Sequence, residues 1–150
     1  MAIVRTAGTE IIRTAMFADV GGVADRKIII GEQHHIYTVL SIIIHANALD
    51  AADSAIYLRF VGYDTIAGAS AETTIFKATP QAGETFVWND KFSFTGTEPT
   101  DFSSPPLSTT AEQDALADQG TTTSQYLFLY TADAGDDYDV YVTYIDQNNA

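Results

Sequence analysis

The sequence contains no cysteine, so it forms no disulfide and offers no thiolate to a metal or to nucleophilic catalysis. No run of about 18 apolar residues is present, which argues against a membrane-spanning helix. The start, Met1-Ala2-Ile3-Val4-Arg5, lacks the apolar stretch of a signal peptide. Gly-x-Ser-x-Gly, a glycine-rich phosphate loop and His-Glu-x-x-His are all missing, and with them the common hydrolase, nucleotide-binding and zinc-protease readings. Proline is scarce, and three of its four copies (Pro99, Pro105, Pro106) crowd into Gly96 to Pro106. That segment reads as an irregular surface excursion, because no sheet interior tolerates it.

Positive charge is scarce as well. Seven Lys and Arg face twenty Asp and Glu, for a net charge of −13. Nucleic-acid binding needs cations to displace counterions from phosphate, so no nucleic acid is expected as a partner. The seven basic residues all lie at or before Lys91, together with ten of the acids; the remaining ten acids follow it without a single cation. Four of the seven, Arg5, Arg13, Arg26 and Lys27, fall in the first 27 residues.

What the sequence has in abundance is short alternating apolar runs. At 150 residues the chain is long enough to bury about 68–70% of its unfolded surface in one core, so a single domain over 1–150 is expected, with an N-terminal arm at about 1–9. From His35 to His45, Ile36, Leu40, Ile42 and Ile44 are predicted to line a core face, since strand side chains alternate. Ile56, Leu58 and Phe60 repeat the pattern after a loop at Asn47 to Asp53, and the two runs are read as neighbouring antiparallel strands. Glu10 to Phe17, Arg26 to Gly31 and Thr73 to Ala78 add three more, with Gly62 to Ala71 as a loop. Thr85-Phe86-Val87-Trp88 and Lys91-Phe92-Ser93-Phe94 around Asn89-Asp90 predict a tight hairpin. Gln125 to Tyr130 and Tyr138 to Ile145 predict a closing hairpin across the acidic turn Asp133 to Asp137. Thr109 with Glu112, and Thr110 with Gln113, have capping-box spacing and predict a short helix near 110–118. The fold class expected is all-β, an antiparallel two-sheet sandwich of the jelly-roll kind with eight or nine strands.

Candidate chemistry is sparse. His35 and His45 stand ten residues apart on one strand, about 33 Å if extended, and cannot share a metal within one chain. His34 and His35 read as a solvent or interface pair. Asp133, Asp136, Asp137 and Asp139 carry the oxygen ligands that calcium prefers, but their order is not that of an EF-hand, and a solvated turn is expected instead. No catalytic, cofactor or metal residues are assigned, and no enzyme is expected. Tyr37, Tyr57, Tyr141 and Trp88 are candidates for outer strand faces, either against another subunit or against a sugar, as in a carbohydrate-binding module. Val39 and Ile43, opposite Leu40 and Ile42, make the central strand apolar on both faces, and a small sandwich has to cover the second face with something. The candidate interface therefore comprises Arg5, Arg13, Arg26, Lys27, Tyr37, Val39, Ile43 and Tyr57.

Three segments, Ile36 to Ile42, Gly83 to Lys91 and Tyr141 to Gln147, resemble small β-sandwich virion proteins of tailed phages, especially those infecting marine bacteria and cyanobacteria. The resemblance covers about residues 35 to 95 and 138 to 147. It implies a structural role in the virion: a capsid decoration (cement) protein on the major capsid protein lattice, or a neck or tail accessory protein. It further implies a homo-oligomer, with a trimer preferred, and brings no catalytic residues with it.

Overall fold

A computed structural model describes residues 9–100 and 122–148 of the chain. Nine strands lie in that span: β1 (Thr9–Val20), β2 (Arg26–Ile30), β3 (His35–Ala48), β4 (Ile56–Asp64), β5 (Ala69–Ala78), β6 (Thr85–Trp88), β7 (Phe92–Thr95), β8 (Tyr126–Thr131) and β9 (Asp137–Asn148). They form two antiparallel sheets, as the alternating runs predict. One has the order β1-β9-β3-β6 with β7 also on β3, and the other the order β2-β8-β4-β5. The pairing is nested: β1 with β9, β2 with β8, β3 with β6 and β7, β4 with β5. That is one long hairpin rolled up until β9 meets β3 and β8 meets β4, which is the jelly roll. Of the arm expected at about 1–9, Thr9 already belongs to β1, while residues 1–8, with Arg5, and the expected helix near 110–118 lie outside the described residues.

Several pairings differ from the sequence reading. β3 and β4 are not neighbours but sit in opposite sheets, facing each other through the core. β8 and β9 likewise belong to different sheets, so the acidic turn between them crosses the end of the sandwich and closes no hairpin. Strand periodicity reveals which residues share a face, not which strand lies alongside, and this caused both errors. The segment around Asn89-Asp90 is no hairpin either. Both β6 and β7 run antiparallel to β3, with Ile42 opposite Trp88 and Val39 opposite Phe92, so they form one edge strand interrupted at 89–91. Finally, β4 and β5 extend into the stretch expected to be a loop and pair to Asp64 opposite Ala69. The tight turn between them is held by the Asp64 side chain, whose Oδ1 accepts the Ile66 and Ala67 N–H groups at 2.9 and 3.1 Å.

The core fills the space between the sheets. Ile42, Ile44, Val140 and Val142 from the first sheet and Ile56, Leu58, Leu127 and Leu129 from the second are all fully buried. Each such side chain contributes about 1.5–3 kcal/mol. β3 enters this core in two phases. Its register with β9 shifts between Val39 and Ser41, so Leu40 is an extra residue and the strand changes faces there. Before the shift Tyr37 and Val39 point inward; after it Ile42, Ile44 and Ala46 do. Ile36 and Leu40, expected in the core, are only half-buried. Tyr37 and Val39, expected at an interface, are interior: Tyr37 stacks on Phe94 at 5.3 Å and Val39 has no exposed surface.

Candidate functional site

The first sheet keeps its outer face bare. In antiparallel pairing, directly opposite residues share a face. Met16 is opposite Tyr141, Tyr141 opposite Ile43, and Ile43 opposite Val87. Four apolar side chains thus form one row across β1, β9, β3 and β6, with exposures of 65%, 39%, 37% and 53%. Ile12, 70% exposed, opens a second row opposite Ile145. Beside the first row lies a shallow depression lined by Met16, Ile43, His45, Asp139 and Tyr141. Being adjacent in register, the four side chains make one contiguous apolar stripe and not the scattered single exposures that are ordinary on a monomer.

The second sheet shields its outer aromatics, although Ile30 on its edge strand β2 is 56% exposed. Tyr57 pairs with Tyr130 at a ring distance of 6.0 Å, and Arg59 lies 5.7 Å from both rings. Lys77 reaches Tyr57 from the other side, Lys27 sits 4.2 Å over Tyr126, and Arg59 is tied to Glu72 at 2.5 Å. The charged heads themselves lie over the ring faces, where the ring quadrupole attracts a cation, and they cover part of the aromatic surface. Tyr57 therefore belongs to this cation-covered face, not to the apolar row. Arg26 is exposed at the start of β2. The four aromatics considered for sugar stacking do not assemble into a platform: Tyr37 is interior, Trp88 stacks inside on Phe76 at 5.0 Å, and Tyr57 and Tyr141 lie on opposite sheets.

The two ends of the sandwich hold the remaining polar clusters. At one end Asp146, only 3% exposed, joins three strands: His35 Nδ1 lies 2.6 Å from one carboxylate oxygen and Arg13 Nε 3.1 Å from the other. Arg13, a candidate for the interface, is thus committed to an internal ion pair. At the opposite end Asp19, Asp137 and Asp139 bring carboxylate oxygens within 4.8 Å of one another. Asp136, expected in a solvated turn, is 6% exposed; folding the β8–β9 turn over the end of the core buries it. Sequence periodicity had no means of showing this, because a turn residue carries no alternating pattern.

Burial raises three phenols. Tyr138 is pushed up from 10.0 to about 12, first by burial and then by the charges of Asp136 and Asp133. Tyr37 and Tyr144 are raised as well, again chiefly by burial.

No protein-family model and no curated protein sequence matches the chain. Among solved structures, one from Bacillus endospore appendages, described as disulfide-linked pili, is similar at a TM-score of 0.45 and 8% identity, over 100% of this chain and 97% of that one. A chain of the T13 IBDV viral particle is similar at 0.39 and 10%, over 99% and 37%. One of desmodium yellow mottle tymovirus is similar at 0.34 and 11%, over 99% and 92%. At these scores the likeness carries no functional conclusion for this chain.

Proposed function

We propose that the chain is a structural subunit of a virion, a decoration protein that binds a capsid lattice and associates with copies of itself through the outer face of the β1-β9-β3-β6 sheet. The observation behind this reading is the in-register row Met16, Tyr141, Ile43 and Val87, uncovered on one sheet while the other sheet shields its aromatics. A second copy is the occupant the row fits, because a flat apolar stripe is self-complementary when two are brought together about a rotation axis. Two such stripes meeting directly close as a dimer; the trimer that the resemblance to virion proteins implies would instead have each stripe meet a different patch of its neighbour.

Two measurements test the proposal. Sedimentation velocity of the wild-type chain should give an oligomer, and Met16→Lys with Val87→Lys should give a monomer of about 16.2 kDa with unchanged circular dichroism. Particles lacking their decoration should retain the wild-type protein on pelleting and lose the double variant. A wild-type monomer at high concentration that also fails to pellet with such particles would overturn the reading.

A further inference from the structure

We propose that the β8–β9 turn is a cation site of the calcium type, in which the Asp133 and Asp136 carboxylates take up one divalent ion at the end of the core. Two further loops enclose the turn. The Asp50 N–H donates to Asp136 Oδ1 at 3.0 Å, and the Ser54 hydroxyl donates to Asp133 Oδ2 at 3.0 Å, so both carboxylates are fixed against the β3–β4 loop. Within the turn the Asp136 N–H reaches the Asp133 carbonyl at 3.3 Å. The backbone of Gly21, between β1 and β2, packs so closely on Asp136 that a Cβ there would lie 1.8 Å from its carbonyl oxygen. A Cβ on Gly135 would lie 2.8 Å from the Asp50 carboxylate.

At this end of the core four buried side-chain oxygens find no hydrogen-bond partner among the described residues: Asp136 Oδ2, Asp137 Oδ1, Thr131 Oγ1 and the Tyr138 hydroxyl. Asp136, Thr131 and Tyr138 are 6%, 0% and 0% exposed, and Asp137 is half-buried. Thr131 closes β8 and Tyr138 lies next to the start of β9, so the two hydroxyls flank the turn from the two sheets. The charges of Asp136 and Asp133 add to the burial that raises the Tyr138 phenol. A buried carboxylate oxygen without a donor is costly, and buried hydroxyls without partners at the same end of the core add to that cost. Every group named is a hard oxygen, the donor type that calcium collects at 2.3–2.6 Å in flexible coordination. One ion would satisfy the carboxylate and leave both hydroxyls an electrostatic partner. Asp19, Asp137 and Asp139 bring their carboxylates together in an adjoining cluster, in which Asp19 is exposed and Asp137 and Asp139 are half-buried.

The test uses calcium chloride, and terbium(III) as a luminescent substitute, on the full chain. Calcium should raise the melting temperature by about 5 °C and EGTA should reverse it, since a ligand bound only by the folded state stabilises by mass action. Terbium emission excited through tyrosine should appear, be displaced by calcium, and fall in Tyr138→Phe. Asp136→Asn should abolish both signals and Asp139→Asn should keep them. Should Asp136→Asn fail to fold, Thr131→Val takes its place as the deciding variant, with at least a tenfold loss of calcium affinity expected. No calcium effect on the wild type, unchanged affinity in Thr131→Val, or loss of binding in Asp139→Asn instead would each overturn the proposal.

Discussion

His35 Nδ1 lies 2.6 Å from Asp146 Oδ1, bringing together two residues 111 positions apart in the sequence. One carboxylate, 3% exposed, therefore ties β3 to β9 and, through Arg13, to β1. Removing it leaves two donors without their shared acceptor. Asp146→Ala is expected to cost about 3 kcal/mol, the penalty of breaking a buried pair. Arg13→Ala, whose side chain is half exposed, should cost less than about 1 kcal/mol. Urea unfolding of the two variants measures the difference, and equal losses would mean that the carboxylate is no hub.

The bulge at Leu40 makes a paired prediction about the core. Val39→Ala should destabilise by about 1–3 kcal/mol, because it opens a cavity between the sheets. Leu40→Ala, although it removes a larger side chain, should cost less than about 1 kcal/mol. If denaturation midpoints rank the two the other way, β3 lacks the phase change.

Asp90→Gly creates Asn-Gly, the strongest short hairpin signal. In a true hairpin it would stabilise the fold. Because 89–91 interrupt one edge strand on β3, the added glycine should only gain freedom in the unfolded chain and lower stability by about 0.5–1 kcal/mol. Thermal melts that rise instead would argue for a turn.

Alkaline pH should unfold the protein through Tyr138. Its phenol ionises near 10 when unfolded and near 12 when folded, so the folded pKa is raised. The resulting stability is complete below pH 10 and is lost as pH climbs through 12. Absorbance at 295 nm should show the Tyr37, Tyr138 and Tyr144 phenols ionising only as the fold gives way. In Tyr138→Phe the decline between pH 10 and 12 should be shallower; an unchanged curve would assign it to other groups.

The sequence by itself determined the fold class and most strand positions, because period-two alternation is a local property that a stripe such as Ile42, Ile44 or Leu127, Leu129 displays without reference to anything else. It also identified Ile43 as an outward apolar residue. It did not determine which strands lie side by side. β3 and β4 read as neighbours and face each other instead, while the Asn89-Asp90 link reads as a hairpin and is a break in an edge strand. One inserted residue, Leu40, reversed the inside and outside of half a strand, turning Tyr37 and Val39 from candidate contacts into core. The row Met16, Tyr141, Ile43 and Val87 draws its members from four strands, and the enclosure of Asp136 from three loops. Both exist only once the long hairpin has rolled up, since register between distant strands is fixed by the packing of the whole core and not by any segment of it.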